Sequence, residues 1–251
     1  MPDVIVTTEG AIRTLTLNRP DKRNSLNDEL IAALKDALRD ADLDESLRAI
    51  VIRGAGKDFC SGADLSALQK IATASYEENI EDARSLAELF SLIRSVRVPV
   101  IAAVHGRALA GGCGLATACD LVLATDTARF GYPEVKIGFV PAMVGAILRR
   151  NLGEKKSFEL LTQGFEYSAE DALQLGLVNQ LFREENFDAV TLEYAARYAT
   201  TSASAVAMTK ALIYDIDAQD FPTALEKGVI ANANARMTDD CKKGIARFLE
   251  K

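Results

Sequence analysis

Two short apolar runs, each followed by a loop of small residues, constrain this sequence more than any other feature. Residues 49–53 and 100–104 are rich in Val, Ile and Ala and are bounded by Gly or Pro, which is typical of strands buried inside an α/β layer. Glycine-bearing loops follow at residues 59–65 and 106–114. Small residues let a ligand come within hydrogen-bond distance of the main chain, and a following helix N-terminus adds partial positive charge. Two such N–H donors aimed at one point would form an oxyanion hole, and close packing of the strand on the following helix is the alternative for either loop taken alone.

The second loop does not have the features of a nucleotide-binding loop. Its glycines do not follow the order Gly-x-Gly-x-x-Gly, and no acidic partner ends a following strand at the distance that a dinucleotide site requires. Gly-Lys-Ser/Thr, which marks a phosphate-binding P-loop, is also absent from it.

The remaining patterns predict an α/β core. Residues 4–8 and 12–17 alternate as a hairpin around Glu9-Gly10, and residues 28–41 have the apolar spacing of a helix capped by Asn27. We also predict helices at 75–98, 115–119, 144–151 and 154–162, a strand at 121–124, and a short helix that begins with a capping box at Ser168 and Asp171.

From Glu185 onwards no strand pattern is found. Residues 186–200, 203–217, 221–237 and 239–251 have helical patterns. The predicted organisation is therefore a core at residues 1–189 followed by a helical region at 190–251.

Composition limits the classes of partner. The chain has 251 residues, is 49% hydrophobic and carries a formal charge of −7, which argues against the basic surface that nucleic acid needs. Its apolar runs are much shorter than the roughly 20 residues of a membrane span, and the N-terminus lacks a signal pattern. We expect a soluble, cytoplasmic protein with neither nucleic-acid nor membrane partners. The cysteines, which lack Cys-x-x-Cys spacing, are expected to be buried free thiols and not metal ligands: Cys60, Cys113, Cys119 and Cys241.

Further segments extend the pattern beyond the two loops. In chain order the segments are Asn18-Arg19-Pro20-x-x-x-Asn24-Ser25-Leu26-Asn27, Phe59-Cys60-Ser61-Gly62-Ala63-Asp64-Leu65, Pro99-Val100-Ile101-Ala102-Ala103-Val104-His105-Gly106-Arg107-Ala108-Leu109-Ala110-Gly111-Gly112, Cys119-Asp120-Leu121, Ala128-Arg129-Phe130-Gly131-Tyr132-Pro133-Glu134, Gly138-Phe139-Val140-Pro141 and Ala169-Glu170-Asp171-Ala172-x-x-x-Gly176-Leu177-Val178. This ordered set closely resembles the crotonase superfamily, the enoyl-CoA hydratases and isomerases. The resemblance implies an α/β fold with a crotonase-like ββα spiral core and a helical C-terminal region.

The resemblance also implies roles for individual residues. The backbone N–H groups of Ala63 and Gly111 would hold the thioester oxygen of an acyl-CoA substrate. Ala63, Asp64 and Leu65 resemble the stretch that borders the adenine and pantetheine of coenzyme A. Lys22 and Arg23 lie where relatives often meet the nucleotide phosphates, although a solvated surface is the alternative for this pair.

The carboxylates depart from the pattern of the two-glutamate hydratases. Those enzymes carry one glutamate where this chain has Gly114 and a second where it has Glu134, and the two share one water. Here only Glu134 is retained, as the acid/base. Bacterial 3-methylglutaconyl-CoA hydratases and related enoyl-CoA hydratases resemble this chain in having glycine at the first position.

Three functions remain open at this point. Hydration of a 2-enoyl-CoA is the first and double-bond isomerisation by the single glutamate is the second, because one carboxylate can move a proton between C2 and C4. Acyl-CoA binding without catalysis is the third. The resemblance implies no cofactor, since coenzyme A is part of the substrate, and a homotrimer or homohexamer.

Three further residues are expected to have supporting roles. His105 is the only histidine in the chain, and a structural role is favoured for it over catalysis. Tyr132 and Phe139 are expected to shape the acyl pocket.

Overall fold

The computed structural model describes residues 1–250 and shows a mixed α/β architecture. The strands are β1 (Val4–Glu9), β2 (Ile12–Leu17), β3 (Ala49–Gly54), β4 (Val100–Val104), β5 (Arg107–Leu109), β6 (Leu121–Thr125), β7 (Arg129–Gly131), β8 (Glu166–Ser168) and β9 (Gln180–Phe182). The helices are α1 (Asp28–Leu43), α2 (Leu65–Thr73), α3 (Tyr76–Ser95), α4 (Gly111–Ala118), α5 (Ala142–Asn151), α6 (Glu154–Gln163), α7 (Ala169–Gln174), α8 (Phe187–Ala196), α9 (Ala203–Asp215), α10 (Phe221–Met237) and α11 (Asp239–Leu249).

The main sheet places the ends of β3 and β4 side by side. Its strand order is β1-β2-β3-β4-β6-β9, and every neighbouring pair is parallel except the hairpin β1-β2. Arg53 near the end of β3 pairs with Ala103 near the end of β4. The two glycine-bearing loops therefore leave the same edge of the sheet. A smaller sheet, with the order β5-β7-β8, begins with β5 inside the second loop.

Both faces of the main sheet are covered. Ile50 and Ile52 of β3 are fully buried on the face that packs with α1, while Val51 points to the opposite face, where Phe187 and Ala195 of α8 cover it. Such burial on both faces explains why β3 and β4 have near-continuous apolar sequences. The predicted boundary at residue 190 falls inside α8, and the division into two regions stays a prediction.

The sequence predicted most of the long elements, but it did not place the start of α4. This helix begins at Gly111 and not at Leu115, because the Gly-Gly-Cys-Gly run has low helix propensity while tertiary contacts favour a helix there. A Cβ on Gly112 would lie 2.7 Å from Cys60 Sγ, so only a glycine lets α4 pack this closely on the first loop.

Helices α9, α10 and α11 are attached to the core mainly through α9. Its Lys210 contacts Asp120 at 2.6 Å and also donates to the carbonyl oxygens of Ile93 and Val98. Helices α10 and α11 have no buried residues, and the last residue of the predicted helix at 239–251, Lys251, lies outside the described residues. Of the helices in residues 1–250, none has the length and apolarity needed to cross a membrane.

Candidate active site

The two glycine-bearing loops are in direct contact. Cys60 in the first loop forms a parallel bridge with Ala108, and its carbonyl oxygen accepts a hydrogen bond of 3.0 Å from Leu109 N. Gly62 adopts φ +94°, and a Cβ there would lie 2.8 Å from Ala110 Cβ and 3.6 Å from Gly111 N. A larger residue at position 62 would therefore push the loops apart.

The first loop presents the N–H group of Ala63. Its neighbours are fixed by backbone bonds to Leu26, which donates to Gly62 O at 2.7 Å and accepts from Asp64 N at 2.9 Å. Ala63 is exposed, and no backbone or side-chain acceptor among residues 1–250 bonds to its amide. This N–H group is thus held in place and available to a ligand.

The second loop presents the N–H group of Gly111. As the first residue of α4, Gly111 has one of the amides that an α-helix leaves without an intrahelical acceptor. Ala110, just before it, has φ 49° and ψ −128°, a region in which a non-glycine residue is strained by about 1–3 kcal/mol. Hydrogen bonds from Ala110 N to Gly131 O and from Gly114 N to Ala110 O hold this conformation. The arrangement can stabilise negative charge on an oxygen placed between the loops.

Glu134 supplies the carboxyl group of the site. It lies in the 3₁₀ helix Pro133–Ile137, which starts with a proline and ends at Gly138 in the left-handed conformation. The side chain is half-buried, and its buried Oε2 atom has no hydrogen-bond partner among the described residues. Burial raises the pKa of Glu134 above the usual value of a glutamate. Such a carboxyl group binds a proton more readily than an ordinary glutamate does, which suits it to accept and return one.

The segment that carries Glu134 is joined to the start of α4, because Ala110 N donates to Gly131 O, three residues before Glu134. Burial, and to a smaller extent the charge of Glu134, raises the pKa of Cys113 to about 11. Cys113 stands on the first turn of α4, between Gly111 and Gly114. The carboxyl group and the second predicted N–H donor therefore belong to one region of the molecule.

Gly114 faces hydrocarbon groups. A Cβ built on this residue would lie 3.0 Å from Cζ and 3.4 Å from Cε2 of Phe90, and 3.7 Å from Cβ of Val144. Both neighbours are buried side chains. Sequence reasoning missed Phe90, because the periodicity of α3 shows which side chains face the core but not which glycine they meet.

Asp64 is engaged within the protein. Its carboxylate accepts hydrogen bonds from Ser66 N at 3.0 Å and from Arg19 Nη2 at 2.7 Å, and these bonds lower the pKa of Asp64 to about 2. Asp64 is thus an acceptor that closes the first loop, and its predicted place beside the adenine and pantetheine of coenzyme A stays a prediction. Arg19 is part of the Asn18-Arg19-Pro20 segment, yet the sequence alone gave no reason to assign it a role near the site.

The other predicted binding residues are distributed around these loops. Lys22 and Arg23 are exposed, and Arg23 Nε lies 3.9 Å from Asp58 Oδ2. Phe139, which follows the 3₁₀ helix of Glu134, is 40% exposed. The side chain of Leu65 lies outside the described part of the chain. The binding roles of these residues stay predictions.

Tyr132 is fully buried, and His105 contacts the turn at Gly56. Tyr132 has no accessible surface, and its hydroxyl lies 3.4 Å from Thr117 Oγ1 on the far part of α4. Because a contact with an acyl chain would require neighbouring segments to move, its role in the acyl pocket stays a prediction. His105 Nε2 lies 3.0 Å from Gly56 O, a contact in keeping with a structural role.

Comparison with known proteins decides the family. The enoyl-CoA hydratase/isomerase family model matches residues 7–251. The chain belongs to this family. It is 33% identical over 256 residues to the 2,3-dehydroadipyl-CoA hydratase of Escherichia coli K12, an alignment that covers 100% of this chain and 97% of that protein.

Other members of the family agree with this assignment. Enoyl-CoA hydratase domain-containing protein 3, mitochondrial, of Xenopus laevis is 35% identical over 253 residues, which cover 100% of this chain and 84% of that protein. The crystal structure of an enoyl-CoA hydratase from Mycobacterium smegmatis superposes with a TM-score of 0.94 at 35% identity, covering 100% of this chain and 97% of that one. The predicted crotonase-like fold is confirmed.

Proposed function

We propose that the protein hydrates a 2-enoyl-CoA to the corresponding 3-hydroxyacyl-CoA, with Glu134 as its only catalytic carboxyl group. The observation that carries the proposal is the buried Oε2 atom of Glu134, which has no partner among the described residues; Glu134 follows Gly131, whose carbonyl oxygen accepts from Ala110 N at the start of α4. A carboxyl oxygen left without a protein partner is free to bond to water and substrate.

The proposed mechanism uses the two loops and the carboxylate in sequence. The thioester oxygen accepts hydrogen bonds from the N–H groups of Ala63 and Gly111, so that negative charge on it is stabilised as the enolate forms. Water attacks C3 while Glu134 accepts one of its protons, and the C2–C3 π electrons move to the thioester as an enolate. Protonated Glu134 then gives the proton to C2. The net result is addition of one water molecule, and Glu134 is again ionised.

Coenzyme A is proposed to lie along the first loop. Its adenine and pantetheine would border the backbone of Ala63, Asp64 and Leu65, and its phosphates would meet Lys22 and Arg23. The exposure of this basic pair supports the proposal, since both side chains are accessible to a phosphate. No cofactor other than the substrate's own coenzyme A enters the reaction.

Isomerisation is the second candidate. Gly114 faces Phe90 and Val144, so a second carboxylate that would orient the water is not found there. A single carboxyl group suffices to take a proton from C2 of a 3-enoyl-CoA and deliver it to C4. Acyl-CoA binding without turnover is a weaker third candidate, because a binding protein would have no need of an unpartnered buried carboxyl oxygen.

A substrate panel distinguishes these three functions. The protein is incubated with crotonyl-CoA, 3-methylglutaconyl-CoA and a 3-enoyl-CoA while enoyl absorbance and product mass are recorded. Hydration predicts loss of absorbance with a 2-enoyl substrate and a mass increase of one water. A change that occurs only with the 3-enoyl substrate, without a change in mass, would instead establish an isomerase. Binding of all three without turnover would establish a non-catalytic protein.

Assembly and location complete the proposal. A homotrimer or homohexamer is supported by exposed apolar side chains on α10, among them Phe221, Leu225 and Val229, which a second copy would cover. A cytoplasmic location is supported by free thiols at Cys60, Cys113, Cys119 and Cys241, as expected in a reducing compartment.

A further inference from the structure

A buried cluster of polar side chains joins α4 to the segment that carries Glu134. Tyr132 and Cys113 are completely buried, and Thr117 and Tyr167 are nearly so. Tyr132 Oη lies 3.4 Å from Thr117 Oγ1, and Tyr167 Oη lies 3.7 Å from Cys113 Sγ. The four side chains come from two turns of α4, from the residue after β7 and from β8, so the cluster connects elements that are distant in the sequence.

The hydroxyl group of Tyr132 acts as a donor toward α4. Thr117 Oγ1 donates to the carbonyl oxygens of Cys113 at 3.0 Å and of Gly114 at 3.2 Å, and a threonine hydroxyl has only one proton. Burial raises the pKa of Tyr132 well above its usual value, so the phenol keeps its proton and is the donor in the contact with Thr117. A buried hydroxyl without an acceptor costs free energy. The contact therefore holds the ring of Tyr132 against the helix that begins with Gly111.

Tyr132 is the last fully buried residue before the carboxyl group of the site. It immediately precedes the 3₁₀ helix Pro133–Ile137, and residues 136–140 are exposed. The Oε2 atom of Glu134 has no hydrogen-bond partner among the described residues. Because no bond to Oε2 fixes the side chain, the position of the carboxyl group depends on the backbone that carries it. The buried ring two residues earlier anchors this backbone.

We infer that Tyr132 is a positioning residue that sets the carboxyl group of Glu134 relative to the Gly111 amide. Its hydroxyl contacts the helix that begins with Gly111, and the backbone bond from Ala110 N to Gly131 O joins the two segments a second time. Tyr132 acts through the chain and not by touching substrate, because it has no accessible surface. The inference rests on the proposed function and deepens it, since misplacing a catalytic group by about 1 Å can cost on the order of 10²-fold in rate.

The test removes one hydroxyl group at a time. Tyr132→Phe keeps the ring and removes the donor, Thr117→Val keeps the size and removes the acceptor, and Thr117→Ser keeps the acceptor. Tyr214→Phe is the matched control, because Tyr214 Oη donates to Asp120 at 2.7 Å at the opposite edge of the main sheet, where β6 begins. Steady-state hydration of crotonyl-CoA, isomerisation of a 3-enoyl-CoA and the melting temperature are measured for each protein.

Both tyrosine variants are expected to lose some stability, but only Tyr132→Phe is expected to lose activity. Tyr132→Phe and Thr117→Val should each lower kcat about tenfold without a change in KM, while Thr117→Ser and Tyr214→Phe keep the kcat of the wild type. The double variant Tyr132→Phe/Thr117→Val should be no slower than either single variant, because both substitutions remove the same contact. An unchanged kcat in Tyr132→Phe, or an equal loss of kcat in Tyr214→Phe, would overturn the inference.

The Glu134→Gln background separates positioning from general damage to the fold. Misplacing the side chain at position 134 has no further effect once it cannot transfer protons. Tyr132→Phe should therefore leave the residual rate of Glu134→Gln unchanged, while it lowers the melting temperature as it does in the wild type. A further loss of about tenfold in that background would overturn the inference. A wild type that only isomerises would refute the proposed function, whereas the same comparison made with the 3-enoyl-CoA would still decide the role of Tyr132.

Discussion

The guanidinium group of Arg19 lies 2.7 Å from the carboxylate of Asp64, and this ion pair joins two segments next to the Ala63 amide. Arg19 also donates to the carbonyl oxygen of Ser25, whose neighbour Leu26 pairs with the first loop. The two charged side chains are only 16% and 6% exposed, so each depends on the other for compensation of its charge. Arg19 is therefore a positioning residue for the first loop.

Replacing Arg19 with methionine is expected to lower kcat at least tenfold and to raise KM, since the first loop carries both the Ala63 N–H group and the proposed coenzyme A contacts. Arg19→Lys is expected to recover part of kcat. Steady-state kinetics with a 2-enoyl-CoA measure both parameters. Arg39→Met is the matched control, because Arg39 pairs with Asp36 on the exposed surface of α1. An Arg19→Met enzyme with wild-type kcat would show that the pair does not position the loop.

Gly62→Ala tests the contact between the loops. The added Cβ would lie 2.8 Å from Ala110 Cβ and would occupy a residue with φ +94°, so the first loop must move away from Gly111. We expect a loss of kcat on the order of 10²–10³, which is the usual effect of losing one oxyanion-hole donor. Gly10→Ala is the control for backbone strain alone, because Gly10 has φ +57° and nothing within 4 Å of its Cβ position. Similar kcat losses in both variants would contradict a specific role of the contact.

The ionisation of Glu134 predicts an acidic limb in the pH–rate profile. Glu134 must be ionised to accept a proton from water, and burial raises the pKa of its carboxyl group. The rate is therefore expected to rise with pH through a pKa above that of an ordinary glutamate, and this limb should be missing from the residual rate of Glu134→Gln. A profile of kcat/KM against pH measures it.

The same pKa shift has a consequence for stability. The carboxyl group of Glu134 binds its proton more tightly in the folded protein than in the unfolded chain. Protonated Glu134 therefore favours the folded state at a pH below the pKa of the unfolded chain. This contribution to the free energy of unfolding is lost as the pH rises through the pKa of the folded protein. Glu134→Gln is thus expected to melt at or above the wild-type temperature at pH 7. A clearly lower melting temperature would contradict the predicted direction.

The buried pair of Lys210 and Asp120 fixes α9 to the core. Lys210 and Asp120 are 7% and 14% exposed, and Tyr214 Oη also donates to Asp120 at 2.7 Å. Lys210→Met leaves the carboxylate without its cation, so the free energy of unfolding in urea is expected to fall by about 3 kcal/mol. Lys227→Met, which breaks the more exposed pair with Asp215, should cost less than about 1 kcal/mol. Equal effects of the two substitutions would contradict this role of the buried pair.

Much of the framework could be predicted from the sequence. The apolar runs of β3 and β4 and the cap of α1 at Asn27 are local patterns, and Asn27 indeed accepts a hydrogen bond from Leu30 N. The capping box of Ser168 and Asp171 is also present. These features depend on residues close together in the chain, so the sequence contains the information that specifies them.

The parts that were missed depend on contacts between distant residues. Strands β5, β7, β8 and β9 have three residues each, too few for a period to be recognised, and they are fixed by pairing with other strands. The early start of α4 depends on Cys60, and the surroundings of Gly114 depend on Phe90. Single-sequence patterns identify Gly114 as the place of a missing glutamate but cannot show that an aromatic ring fills the space beside it.

The most direct test of a reaction that depends on one carboxyl group uses the Glu134→Gln variant. Two quantities are measured with a 2-enoyl-CoA: the rate of hydration and the affinity of the variant for this acyl-CoA. The substitution keeps the size of the side chain and removes only its ability to accept and return a proton. We predict an unchanged affinity and a fall in kcat on the order of 10²–10⁴. A Glu134→Gln enzyme that binds and hydrates the substrate at the wild-type rate would contradict the assignment.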